Sequence, residues 1–183
     1  MRFQEQYTKR IIPEMTKKFG YKNAFAVPRV VKVVINTGFG KTISGKTGED
    51  VRKITEDIMR DLALLAGQKP AFAQSKKSIA GFKLRKGIPI GAKVTLRGKR
   101  MYDFMERFVR AVLPRSRDFQ GLSQASFDTS GNLSVGIKEH VFFPEVPLEK
   151  VRHQFGLQIT FSTNAKNREQ GKELFKLFGF PLK

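Results

Sequence analysis

The chain has 183 residues, 40% of them hydrophobic, and carries 35 Lys and Arg against 16 Asp and Glu, a net charge of +19. A compact chain that basic repels itself, which points to a polyanionic partner: nucleic acid first, an anionic membrane surface second. The absence of cysteine excludes disulfides, thiolate zinc sites and cysteine nucleophiles, and no apolar run approaches the roughly 20 residues that a bilayer requires.

The start, MRFQEQYTKRIIPEM, has no signal-peptide hydrophobic core, and its mixed charges fit a transit peptide poorly. A cytoplasmic protein is expected. Phe3, Tyr7, Ile11, Met15 and Phe19 then recur at four-residue steps, a helical stripe closed by Gly20, which Pro13 should kink or restart. The β-branched run VPRVVKVVIN predicts a strand, with Val31, Val33 and Ile35 on one face and Lys32, Val34 and Asn36 on the other. From Glu49 to Ala66, the spacing of Val51, Ile54, Ile58, Leu62 and Leu65 predicts an amphipathic helix closed by Gly67.

QKPAFAQS reads as a short strand, followed by a basic loop, KKSIAGFKLRKGIPI, and then GAKVTLRG. In that last piece Ala92, Val94 and Leu96 alternate with Lys93, Thr95 and Arg97, the pattern of a half-buried strand. Lys99 to Leu113 has the strongest helical periodicity in the chain (Met101, Phe104, Met105, Phe108, Val109, Val112, Leu113), and Pro114 should stop it. Residues 114 to 132 are polar and turn-rich. Strand-like LSVGIKE follows, then GLQITFST, with Leu157, Ile159 and Phe161 set against Gln158, Thr160 and Ser162. NAKNREQGKELFKLFGF predicts a final helix capped by Asn164 or Thr163.

The order α-β-α-β-β-α-β-β-α, with strands polar on one face, predicts an α+β fold: a mostly antiparallel open sheet with helices packed on one face. One domain, 1–183, is expected, with the basic loop 75–87 protruding. Seventeen Phe and no Trp assign much of the core volume to Phe.

One motif argues for a different chemistry. GKTISGKT, Gly40 to Thr47, matches the nucleotide-binding pattern GxxxxGK[ST] and lies between a strand and a helix. A P-loop enzyme also needs an apolar strand ending in an Asp that helps hold Mg²⁺. Asp118 and Asp128 both fall in loops, and no residue is evident to position an attacking water. The strands are not apolar on both faces, as a doubly wound parallel sheet requires. The match reads as incidental, although Lys41 or Lys46 could still meet a phosphate. His140 and His153 lie thirteen residues apart without partner ligands, so no metal is expected. Glu56, Asp57 and Asp61 read as solvated ion-pair partners on a basic helix. Neither an enzyme nor a cofactor is indicated.

Two features suit RNA. The polar sheet face offers Lys32, Asn36, Gln68, Lys93, Thr95 and Arg97: cations for phosphates, and amides or hydroxyls for bases and 2′-OH groups. An ordinary solvated face would show the same alternation. The loop from Ser75 to Gly87 interleaves Lys76, Lys77, Lys83, Arg85 and Lys86 with Ile79, Phe82 and Leu84, and it contains no acid. Apolar residues among cations can pack on bases or riboses, or fold back onto the hairpin. If about six phosphates are neutralised, log affinity should fall with log salt at a slope on the order of −4 to −5.

VVINTGFG, AGQKP, KKSIAGFKLRKGIPIGAKVTLRG, LPRSRDFQGLS, SFDTSGNLSVGIKEHVFFPE and GKELFKLFGFP together resemble the bacterial-type 5S rRNA-binding proteins of the large ribosomal subunit, the fifth in the conventional series. The likeness runs from the N-terminal helix to the last residues. It implies an antiparallel sheet with helices on one side, whose open face binds 5S rRNA and helps build the central protuberance with large-subunit rRNA and neighbouring 5S-binding proteins. Asn36, Gln68 and Thr95 match the polar residues of the RNA-contacting face, with the Thr37, Gly38, Gly40 and Lys41 turn nearby. Lys76 to Lys86 corresponds to the segment that reaches towards peptidyl-site tRNA, and PRSRDFQGL to the side that bridges to a protein of the small-subunit head. The turn GKTISGKT departs from the family pattern, which usually has no GKT there.

Overall fold

A computed structural model describes residues 2–46, 48–116 and 119–183. Its five strands are β1 (Val30–Gly38), β2 (Ala71–Gln74), β3 (Pro89–Leu96), β4 (Leu133–Ile137) and β5 (Leu157–Thr163). They form one open antiparallel sheet in the order β2-β3-β1-β5-β4. The α-helical segments are α1 (Phe3–Gln6), α2 (Ile12–Phe19), α3 (Gly40–Ile43), α4 (Gly48–Ala66), α5 (Gly98–Arg107), α6 (Leu113–Arg115) and α7 (Arg168–Leu177). The α+β expectation holds. By its internal contacts the chain divides into two compact units: Met1–Val34, Leu96–Val135 and Ile159–Lys183 form unit 1, and Ile35–Thr95 and Gly136–Gln158 form unit 2.

Unit 1 is built on phenylalanine. In its N-terminal helix a π-helical turn (Tyr7–Ile11) joins α1 to α2, and Gly20 closes the end at φ +70°. The four-residue spacing of Phe3, Tyr7, Ile11 and Met15 exceeds the 3.6-residue period, so the stripe would drift around a regular helix. The wider π turn brings it back into line and absorbs the clash that Pro13 makes with the preceding turn. Phe3, Ile11 and Met15 are buried as a result. The next helix of this unit repeats the device: α5 passes through a π-helical turn (Phe108–Val112) into α6, which contains Pro114. Pro114 therefore sits inside the final turn, and the helix ends at Ser116.

The last helix, α7, is capped by Asn167, whose side chain accepts the Gln170 N–H at 2.9 Å. This replaces the expected Asn164 or Thr163. Asn164 instead accepts the Arg29 N–H through its side chain at 2.6 Å. Phe108, Phe161, Phe175 and Phe180 converge in the centre, with Phe161 standing 5.2 Å from Phe180 and 5.5 Å from Phe108.

Unit 2 sets α4 against its part of the sheet, burying Ile54, Ile58, Leu62 and Leu65 as the spacing predicts. Along β1 the predicted alternation holds for Val33 and Ile35, which are buried, and the buried face runs on to Thr37, but Val31 near the strand's start is exposed. Strands β2 and β3 pair antiparallel, with Ala71 opposite Lys93 and Ala73 opposite Gly91. Gly91 is required there, because a Cβ would stand 2.8 Å from the Thr37 carbonyl oxygen.

Candidate nucleic-acid interface

The polar face is acid-free. None of the five strands contains Asp or Glu, so all 16 acidic residues of the chain lie elsewhere. In unit 2, Asn36, Lys93 and Thr95 are exposed, and Gln68 is half-buried with its Nε2 donating to the Thr95 carbonyl at 3.2 Å. That bond ties the loop trailing α4 to β3 and holds the Gln68 amide at the Thr95 backbone. Lys32, half-buried on β1, and exposed Arg97, just beyond β3, belong to unit 1. Thr37 differs from its neighbours: it is buried, and its hydroxyl donates to the Gly156 carbonyl at 2.8 Å. Its side chain braces the fold, while Gly38 and Lys41 remain exposed and Gly40 half-exposed.

The basic loop is an ordered continuation of the β2–β3 hairpin. Ser75 N–H donates to Ile88, Gly87 N–H to Ser75, and Ile79 and Leu84 exchange both backbone bonds. At the tip a 3₁₀ turn (Ala80–Phe82) leads into Lys83 at φ +50°, the only described non-glycine with positive φ. Lys76, Lys77, Lys83, Arg85 and Lys86 are all exposed. Of the interleaved apolar residues only Leu84 is partly covered, while Ile79 is 44% and Phe82 64% exposed. The tip thus presents hydrocarbon and ammonium groups together.

Residues Gly40 to Lys46 do not form a phosphate-binding loop. Within them α3 is a helical turn, and four amides of the stretch are already engaged. Thr42 and Ile43 donate to the Phe39 carbonyl, Ser44 to Gly40 and Lys46 to Ile43. A P-loop cradles phosphate with free amides, and these are not free. Thr47, which completes the sequence pattern, lies outside the described residues, as do Arg117 and Asp118 of the PRSRDFQGL stretch.

The turn has a different use. Ser44 Oγ donates to the Phe82 carbonyl at 2.6 Å, and the Phe39 N–H to Ile90 at 2.9 Å, which clips the hairpin tip to α3. Between them lies a recess of about 710 Å³ lined by Gly38, Gly40, Lys41, Ser44, Phe82, Leu84 and Ile90. The sequence alone points to Lys41 and Phe82 but not to the recess, because Ser44 and Phe82 are far apart in the chain.

The carboxylates depart from expectation too. Glu56 is a solvated partner of Arg52 at 2.8 Å, but Asp57 and Asp61 are buried on the inner side of α4. Asp57 pairs with Arg60 at 3.0 Å, and Asp61 lies 3.7 Å from Nε2 of the fully buried His140. His140 Nδ1 accepts the Phe155 N–H at 3.4 Å, which leaves the proton of a neutral ring on Nε2, facing the carboxylate. Burial holds the imidazole below its ordinary pKa, against the pull of Asp61. Among the described residues no cluster of three potential ligands could hold a metal ion.

Comparison with known proteins agrees with this geometry. Residues 23–85 match the family described as ribosomal protein L5, and residues 89–182 match the model of the same ribosomal family's C-terminus. Proteins named large ribosomal subunit protein uL5 are similar along the whole chain. The one from Cupriavidus taiwanensis is 47% identical over 182 residues, covering 100% of this chain and 98% of its own. That from Halothermothrix orenii is 48% identical over 178 residues, covering 97% and 96%. The family is one of structural ribosomal proteins, not enzymes. The chain, with its acid-free sheet and basic hairpin, belongs to the ribosomal protein L5 family.

Proposed function

We propose that this structural protein of the large ribosomal subunit works as one RNA-binding domain that grips 5S rRNA. The observation that carries this reading is the absence of carboxylates from all five strands in a chain that has 16 acidic residues. Low β-propensity keeps Asp and Glu scarce in any strand, and a surface facing phosphates adds a second reason, since each carboxylate would repel the backbone of the RNA. On this face Asn36, Gln68 and Thr95 read RNA shape through amide and hydroxyl groups, Lys32, Lys93 and Arg97 neutralise phosphate, and the Thr37–Lys41 turn flanks them. The sheet is preformed, so binding orders little new chain.

The hairpin tip, with Lys76, Lys77, Lys83, Arg85 and Lys86, extends to a second RNA, the peptidyl-site tRNA. The segment from Pro114 to Leu122 faces a protein of the small-subunit head, and large-subunit rRNA and other 5S-binding proteins complete the surroundings in the central protuberance.

The test is a filter-binding titration of labelled 5S rRNA against excess tRNA competitor at several salt concentrations. Tight, competitor-resistant binding is the expected result. Indiscriminate binding of both RNAs would replace the assignment with that of a general basic RNA-binding module.

A further inference from the structure

The recess between α3 and the hairpin tip has a chemistry that neither the polar sheet face nor the exposed cations explain. It is lined by the apolar residues Phe82, Leu84 and Ile90, with Ser44 and Lys41 as its polar residues and no acidic residue. Its volume of about 710 Å³ falls in the range of small-ligand sites, far above that of a packing defect. Both walls are held in place without a ligand, through the Ser44–Phe82 and Phe39–Ile90 hydrogen bonds. Phe82 leaves 64% of its surface in water although it sits on a hydrogen-bonded turn. An exposed aromatic side chain carried on a hydrogen-bonded turn is available for stacking.

We propose that this recess receives an unstacked nucleobase from a single-stranded segment of RNA. The base lies against Phe82, Leu84 and Ile90, and Lys41 meets an adjoining phosphate. The inference rests on the RNA-binding reading above and gives it a specific pocket. Charge complementarity selects the occupant. Lys41 lines the recess, the Lys83 side chain runs beside Gly45, and residues 75–87 contain no acid, so a ligand that is apolar in one part and anionic in the next fits where a neutral apolar one leaves the cations unanswered. A nucleotide within a strand has both parts. The Ser44 hydroxyl proton is already donated to Phe82, so recognition here is mainly by stacking and shape, tolerant of which base enters.

The test uses the full chain, isotopically labelled for NMR, titrated with hexaadenylate RNA and with an abasic ribose-phosphate strand of equal length. Hexaadenylate should move the Leu84 and Ile90 methyl signals, and the abasic strand should move only signals of exposed lysines. Phe82→Ala should weaken hexaadenylate binding about tenfold, leave binding of the abasic strand unchanged, and be largely rescued by Phe82→Tyr. Gly38→Leu offers a second route, because Gly38 lines the recess and a Cβ there meets nothing within 4 Å, so an added side chain can be placed at the recess without a backbone clash. It should block the methyl shifts while the rest of the spectrum stays native.

Equal affinity for the two strands, or full hexaadenylate binding by both variants, would overturn the proposal. The 5S filter assay separates the two readings. Base-dependent shifts in a protein that shows no preference for 5S rRNA would uphold the recess and sink the 5S assignment, and 5S binding without such shifts would do the reverse.

Discussion

Gly131 and Gly171 touch backbone to backbone in unit 1. A Cβ on Gly171 would overlap the Gly131 carbonyl oxygen and stand 2.5 Å from its Cα, and Gly131 itself has φ +75°. The turn before β4 and the first turns of α7 therefore pack at a separation no side chain permits. Gly171→Ala should cost about 1–3 kcal/mol, as overpacking of rigid backbone does. Gly136→Ala, where a Cβ meets nothing within 4 Å, should be nearly neutral. Urea denaturation of both variants checks the difference, and equal midpoints would show that α7 can shift to make room.

The burial of His140, which outweighs the pull of Asp61, makes stability depend on pH. Burial depresses the folded-state pKa of His140, so below the ordinary histidine value of about 6.5 the unfolded chain binds more protons than the folded one. The stabilisation is full above about pH 6.5, declines as the pH falls towards the folded-state value, and is constant below it. The wild type should lose stability as the pH falls below about 6.5, and His140→Phe, which keeps an aromatic ring against Phe155, should lose less. His153 is present in both proteins and cancels in the comparison. Parallel losses would mean that His140 takes up its proton without cost.

How far the sequence reveals the fold depends on how local each decision is. Ile54, Ile58, Leu62 and Leu65 announce α4 by spacing alone, and Lys93 and Thr95 declare the outer face of β3 by alternation, because both patterns are set by backbone geometry. The Asn167 cap is not legible in this way, because Thr163, Asn164 and Asn167 are all chemically able to cap and only tertiary contacts decide; Asn164 is drawn away to the Arg29 amide. Asp57 and Asp61 read as solvated because helix charges usually are. They are buried because His140 and Arg152 approach them from remote parts of the chain. The polar face is legible residue by residue. The recess is not, since its walls come from two segments that only the fold brings together.

The eight-letter nucleotide pattern makes its own prediction. With the amides of Thr42, Ile43, Ser44 and Lys46 donated to backbone carbonyls, no phosphate cradle remains among them. Calorimetric titration with Mg·ATP should give no saturable heat, and Lys46→Ala should leave that result unchanged. A stoichiometric isotherm abolished by Lys46→Ala would mean that α3 unwinds to free its amides, and the P-loop reading would return.

The sheet face is tested by comparing two single substitutions that remove different things. Thr95→Ala takes one exposed hydroxyl from the acid-free face, next to the Gln68 amide that donates to the Thr95 carbonyl. Lys172→Ala removes a whole positive charge, but from α7, where the ammonium group is 2.8 Å from Gln124 Oε1. If affinity came from net charge alone, the lysine would matter more. If the face reads RNA, Thr95→Ala should weaken 5S binding several-fold, by about 1 kcal/mol for a lost hydrogen bond, without changing the salt slope. Lys172→Ala should change binding little. The slope itself should lie on the order of −4 to −5, as about six neutralised phosphates require, and Lys93→Ala should reduce its magnitude by about one unit. Equal effects of Thr95→Ala and Lys172→Ala would remove the sheet face from the interface and leave the hairpin as the main RNA contact.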